Sequence, residues 1–133
     1  MERKRAVAAI VENNDRILMG KKRRDSSGTL SGEWHFPGET IEGGETDQEA
    51  IIRGLQEEAG VEIKIVGFIG SHLTPKGTLV NWYLCRSDST DLIVGSDLEE
   101  VCWVAKDEVL KLIGEIAKSR WPEEVRKIFE ITG

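Results

Sequence analysis

Two cysteines and two histidines are all that this 133-residue chain offers for thiol or imidazole chemistry. Cys85 and Cys102 lie in segments that read as strands and lack the spacing of a metal site, so they are expected to be reduced core thiols without chemistry of their own. His35 and His72 are isolated, with no carboxylate partner readable from spacing, and neither is given a catalytic role. Long hydrophobic runs are missing as well. The longest early one, Ala6 to Val11, is too short for the apolar region of a signal peptide and ends in Glu12-Asn13-Asn14-Asp15. Nothing here suggests export or membrane insertion, and a cytoplasmic location is the expectation. No stretch reads as a linker or a repeat, so residues 1–133 are expected to form a single domain with room for a core. Basic charge is not in excess either. The net charge of −6 argues against a nucleic acid polymer as partner, while a small anionic substrate bridged by metal stays compatible.

What is present reads as a mixture of strands and helices. A strand over Arg5 to Glu12, an Asn-Asn-Asp turn and a strand over Arg16 to Lys22 predict a hairpin. Residues 23–33, rich in Ser, Gly and charge, read as a loop leading to Trp34-His35-Phe36. Strands follow over Glu62 to Leu73, Thr78 to Arg86 and Glu100 to Val104, and helical patterns over Lys106 to Ile113 and Pro122 to Glu130, the last with proline in its first turn. That order is not a βαβ repeat. It predicts the α+β class: a mixed β-sheet sandwich flanked by α-helices.

Residues 38–61 hold most of the functional information, as a loop, a helix start and a helix. Thr46 with Glu49 three residues on predicts a capping box, and Gly60 a left-handed stop, so a helix is expected from about Asp47 to Ala59. At roughly 100° per residue, Ile51, Ile52, Leu55 and Ala59 fall on one stripe, the expected core side, and Glu57 and Glu58 on another flank with position 54. Carboxylates beside a Gly-rich loop suit Mg²⁺, which takes oxygen ligands and is commonly shared between one or two carboxylates and substrate phosphates.

The segment resembles the box of the Nudix hydrolases: glycine, five residues, glutamate, seven residues, Arg-Glu, an aliphatic, any residue, Glu-Glu, any residue, glycine, aliphatic. The chain matches at Glu45, Arg53, Leu55, Glu57, Glu58, Gly60 and Val61, and the lead-in Trp34-His35-Phe36-Pro37-Gly38 is similar to the family's. It departs twice, with Glu39 at the first box glycine and Gly54 at the glutamate after the arginine. Gly54 removes the central carboxylate of the metal-gathering face, and a mid-helix glycine costs about 1 kcal/mol relative to alanine. Three readings follow: a carboxylate from elsewhere substitutes, the site binds fewer ions, or the protein binds without hydrolysing. The first is favoured, with Glu39, Glu42, Asp97, Glu99 and Glu100 as donors on offer.

The resemblance implies the Nudix fold and metal-assisted attack of water on a diphosphate linkage. Gly38 through its carbonyl, Glu57 and Glu58 would hold Mg²⁺, or Mn²⁺ in its place. Arg53 would orient the carboxylates and Glu45 brace the loop. No Ser, Cys or His nucleophile is required. A further metal ligand or general base is implied in the acidic stretch before the late strand, Glu100 first as base and then Asp97, which is also offered to the metal. Lys22, or Arg24, can reach phosphates. Trp34, Phe36 and Trp82 can stack on a base, with core packing an equal expectation for Phe36. Trp103 is expected in the core outright. The short chain is more similar to the MutT-type nucleoside triphosphate pyrophosphohydrolases than to sugar-nucleotide members, so the implied substrate is a nucleoside polyphosphate. A non-hydrolysing nucleotide-binding module and a variant attacking carbon stay open as alternatives. Dimerisation is common in the family, so a homodimer stays open, although no strand announces an interface.

Overall fold

The apolar stretch that opens the chain becomes a strand with two surfaces to bury. The computed structural model describes residues 4–22, 33–89, 91–95, 98–114 and 118–129. Strand β1 (Arg5–Asn13) sends Val7, Ala9 and Val11 into one hydrophobic cluster and Ala8 and Ile10 into another. A strand buried on both faces reads as a continuous apolar run. Strand β2 (Arg16–Lys22) divides likewise, Leu18 joining the first cluster, Ile17 and Met19 the second. Asn14, at φ 55°, makes the reversal between them. The expected hairpin is therefore present, with Glu12 opposite Ile17 and Asn13 opposite Arg16.

Past the turn β1 and β2 take different partners. β1 pairs antiparallel with the short strand β4 (Gly38–Thr40) and parallel with β6 (Leu79–Arg86). β2 pairs antiparallel with β3 (Trp34–His35) and with β7 (Leu98–Ala105). β5 (Lys64–Leu73) completes the mixed seven-stranded sheet on the far side of β6. Helix α1 (Asp47–Ala59) covers the cluster that holds Val7 and Leu18. On the other face a 3₁₀ turn (Lys106–Glu108), α2 (Val109–Leu112) and α3 (Glu123–Phe129) precede or carry Val109, Ile113, Trp121, Val125 and Phe129 into the second cluster. The α+β sandwich expected from the element order is what forms.

Several local expectations are corrected. Gly38–Thr40 is strand, because its backbone pairs with Ala6, Val7 and Ala8. The late strand, expected from Glu100, starts already at Leu98, where pairing with β2 begins, so Glu99 stands in the strand and not in the loop before it. The helix expected over Lys106 to Ile113 is a 3₁₀ turn and one α-turn, with no side-chain cap at its start and Ile113 already extended. The last helix begins at Glu123, with the Pro122 carbonyl accepting from Val125 and Arg126. Ile52 is 46% exposed, and Ala50 takes its place on the buried face. Trp103 is half-buried against the α1-side cluster instead of enclosed by it. Cys85 is buried and Cys102 partly so, both free thiols, and burial pushes Cys85 up to about 12.

The central helix forms as its sequence dictates. Thr46 Oγ1 accepts from the Glu49 amide at 3.1 Å, Glu49 Oε1 accepts from the Thr46 amide at 3.0 Å, and Gly60 ends the helix at φ 65°. Asp47 ties its first turn to the sheet, accepting from Tyr83 Oη at 2.7 Å and Asn81 Nδ2 at 2.9 Å. Thr46→Ala removes the cap and is expected to cost about 1 kcal/mol in urea unfolding with an unchanged m value. A variant as stable as wild type would show that tertiary packing alone holds the helix start.

Candidate active site

Arg53, on α1, binds the loop that precedes its own helix. Its Nε donates to Glu45 Oε2 at 2.8 Å and its Nη2 to Glu45 Oε1 at 2.9 Å, a forked pair matching a planar guanidinium to a carboxylate. Nη2 also donates to the Thr40 carbonyl at 3.1 Å, and Nη1 to Glu57 Oε2 at 3.3 Å. Glu39 and Glu42 each bring a carboxylate oxygen to 3.7 Å from Nη1. Glu45 in turn accepts from the Glu42 amide at 2.9 Å. The Arg53 hydrogen bonds, then the Glu42 amide, hold the Glu45 carboxyl well below the ordinary range, at about 2.

The two adjacent glutamates point apart. Glu57 is exposed beside Arg53, whereas Glu58, a further 100° around the helix, shares the sheet-facing side with Gly54 and borders the main cleft. Position 54 and Glu58 therefore lie on the half-buried face, not on a polar flank with Glu57. The Glu39 side chain covers Gly54: a Cβ built on that glycine would stand 3.0 Å from Glu39 Cβ and 3.3 Å from both Cγ and Oε2. Gly38 is tight for another reason, since a Cβ there would lie 2.9 Å from the Val7 carbonyl oxygen. At the far end of the helix, the amides of Ile93 and Gly95 donate at 2.9 Å to the carbonyls of Ala59 and Glu58. This contact brings the start of β7 to the same end of α1.

The cleft, about 560 Å³, opens between the sheet and the helical segments of the second face. Among the residues expected at the site, Lys22, Phe36, Gly38, Glu58 and Trp82 line it. Phe36 and Trp82 are also core residues, 6% and 5% exposed and in edge-to-face contact at 5.6 Å between centroids. Trp34 packs, half-buried, against the second cluster beside the cleft lining. Glu45, Arg53 and Glu57 stand behind the lining, on the loop and outer flank of α1. Glu100 is exposed on β7 opposite Lys21, and Glu99 pairs with Lys21 Nζ at 3.6 Å across a register shift. Asp97 and Arg24 lie outside the described residues.

The lining also includes His35 and His72, given no catalytic role from the sequence, and Arg120 and Trp121, to which the sequence does not point. His35 Nδ1 donates to the Phe36 carbonyl at 2.8 Å, its Nε2 is buried without a hydrogen-bond partner among the described residues, and burial followed by the nearby Lys22 charge lowers its pKa. His72 Nδ1 accepts from Trp82 Nε1 at 3.0 Å, and burial, then Arg120, lowers its pKa. Both imidazoles are thus held neutral on the cleft wall. Arg120 and Trp121 come from the segment ahead of α3, whose place over the sheet is a tertiary fact.

The donors bordering the cleft fit a hard divalent cation shared with phosphate. Glu39, Glu58 and the Gly38 backbone offer oxygen, and Lys22 and Arg120 offer positive charge for a polyanion. Among the described residues no three acidic, imidazole or thiol groups converge to hold an ion by themselves. Mg²⁺ suits such a site because it keeps waters and takes substrate oxygens.

Known proteins resemble the chain in sequence and in fold. The NUDIX domain model matches residues 2–125. The chain is 27% identical to a CTP pyrophosphohydrolase of Escherichia coli K12, over 79% of this chain and 78% of that one. It is 26% identical to an RNA pyrophosphohydrolase of Erythrobacter litoralis, over 83% and 80%. Its fold superposes on the crystal structure of a NUDIX hydrolase from Nitrosomonas europaea with a TM-score of 0.75 at 19% identity, covering 87% of this chain and 66% of that chain.

The Arg53–Glu45 pair gives stability a specific pH dependence. The Glu45 carboxyl is depressed from 4.5 to about 2, so its contribution is complete above pH 4.5 and is lost as pH falls toward 2. The stability difference between wild type and Arg53→Ala is therefore expected to be largest near pH 6 and to shrink through that window in urea titrations. A difference independent of pH would show that Arg53 acts by packing alone.

Proposed function

The chain belongs to the NUDIX domain family, and from this we propose that it is a Mg²⁺-dependent pyrophosphohydrolase converting a nucleoside or deoxynucleoside triphosphate to the monophosphate and pyrophosphate. The observation that carries the reading is the meeting of Glu58, Gly38 and two cationic side chains at one cleft, behind a loop and helix clamped by Arg53. The naming of one relative as a CTP pyrophosphohydrolase supports a triphosphate substrate.

In this reading Lys22 and Arg120 would receive the phosphate chain, and the Gly38 carbonyl and Glu58 would hold the cation, while Glu57, expected as a further ligand, stands exposed beside Arg53 outside the lining. The cation, when bound, neutralises phosphate charge and polarises the linkage. Arg53 fixes the helix against the loop and keeps Glu57 in place, while Glu45 braces the loop from below. Glu100, at the start of β7, is the base assigned to take the proton of the attacking water, with Asp97 as the second donor from the same segment. Phe36 and Trp82 form the apolar wall for the base, and Trp34 supports them. On that wall neutral His35 offers Nε2 as an acceptor and neutral His72 offers Nε2–H as a donor, neither adding charge. The compartment assigned is the cytoplasm, and no described helix is long and apolar enough to cross a membrane.

A second reading, nucleotide binding without turnover, is favoured by Gly54, which leaves α1 without a carboxylate at that position. Phosphorus NMR decides between them. The protein is incubated with Mg²⁺ and a pool of nucleoside triphosphates, dinucleoside polyphosphates, nucleotide sugars and 5′-triphosphorylated RNA. Pyrophosphate with a nucleoside monophosphate is the expected outcome, and saturable binding without product would establish the second reading. Label from oxygen-18 water is expected in phosphate; label in sugar would mean attack at carbon. Glu58→Gln is expected to lower kcat by about 10²-fold or more without changing Tm. Retained turnover in that variant would remove Glu58 from the site.

A further inference from the structure

The two departures from the box, Glu39 and Gly54, meet in space. Glu39 stands on β4 with its backbone fixed opposite Val7, next to a glycine that has no room for a Cβ. Its side chain lies across the helix at Gly54, with Cβ, Cγ and Oε2 all at contact distance from where a Cβ of residue 54 would be. A Cβ at 54 would require the Glu39 side chain to give by a few tenths of an ångström, and a longer side chain would compete with it for the same space. Gly54 and Glu58 are successive members of one helix row, and Glu39 and Glu58 both border the cleft. The glycine thus trades helix propensity for the space that a neighbouring strand's carboxylate needs.

We propose that Glu39 and Gly54 are a reciprocal exchange: the carboxylate that a helix residue would carry at position 54 is delivered from β4 by Glu39, which joins Glu58 in holding the divalent cation. The inference rests on the hydrolase reading above. Two carboxylates and a backbone carbonyl leave coordination positions for phosphate oxygens and water, which accords with the lack of a three-donor cluster among the described residues. Arg53 Nη1, 3.7 Å from Glu39 Oε1, is the competing partner for this carboxylate. A role of Glu39 through Arg53 alone must therefore be separable from a role at the cation.

The test reads free Mn²⁺ by electron paramagnetic resonance, with a non-hydrolysable nucleoside triphosphate present, for wild type, Glu39→Gln, Gly54→Glu and the double variant Glu39→Gly/Gly54→Glu. Melting curves accompany each. Glu39→Gln is expected to weaken Mn²⁺ binding by about ten-fold or more while remaining folded. Gly54→Glu, which places two side chains in one space, is expected to lower Tm without strengthening binding. The double variant returns a carboxylate to the helix and is expected to recover most of the affinity. Because it lacks the Glu39–Arg53 contact, recovery reports the carboxylate's place at the ion and not the ion pair. The inference is overturned if Glu39→Gln binds Mn²⁺ like wild type, if the folded double variant stays as weak as Glu39→Gln, or if Gly54→Glu alone raises affinity steeply. Wild type that turns over nucleotide in any of these cases leaves the hydrolase reading standing. Wild type that neither binds Mn²⁺ nor yields product overturns both.

Discussion

The forked ion pair between Arg53 and Glu45 is the constraint on which the arrangement of the site depends. Four carboxylates, those of Glu39, Glu42, Glu45 and Glu57, come within ion-pair distance of the one guanidinium. Without that charge they would repel one another across the gap between β4 and α1. A lysine would supply the charge but not the fork that binds both Glu45 oxygens while a third donor direction reaches the Thr40 carbonyl. The loop from residue 40 to 45 therefore has one position relative to the helix, and Glu39, immediately before it, inherits that position. Precision in a phosphate and metal site comes from such supporting contacts behind the groups that touch ligand.

The second organising fact is a sheet covered on both faces. Because β1 and β2 alternate between two hydrophobic clusters, α1 can occupy one side while the C-terminal helices occupy the other. The acidic residues come from the α1 side and from β4. The aromatic wall of Phe36, Trp82 and Trp121 belongs to the opposite cluster, with Phe36 stacked on Phe129 at 5.4 Å between centroids. The cleft lies where the two sides meet at the strand ends, so one end is rich in oxygen donors and the wall is apolar. This division of labour suits a ligand with a polyanionic tail and a planar, less polar head.

Local features were legible in the sequence, and non-local ones were not. The span of α1, its capping box and its left-handed stop depend on residues within a few positions of one another, and the structure has them where spacing places them. The hairpin at Asn13-Asn14-Asp15 is of the same kind. A helical wheel, by contrast, cannot say which stripe the sheet will choose. Counting apolar residues put Ile52 inside and grouped Glu58 with Glu57, whereas the sheet selects the face of Ala50, Gly54 and Glu58. β4 is only three residues long, and its identity as a strand exists through pairing with β1. For the same reason the contact of Glu39 with Gly54, and the arrival of Arg120, Trp121 and His72 at the cleft, needed the tertiary structure. Lys22, Phe36 and Trp82 could be named as candidates from sequence position and aromatic chemistry, and all three line the cleft.

The central claim, that the divalent ion sits where β4 meets the sheet-facing side of α1, is tested most directly by paramagnetic broadening of backbone amide signals as Mn²⁺ is titrated into the wild-type protein with bound non-hydrolysable nucleoside triphosphate. The account predicts early, selective loss of signals from Gly38 to Thr40, Gly54 and Glu57 to Glu58. Loss centred instead on the exposed acids Asp107 and Glu108, or spread uniformly over the chain, would contradict it.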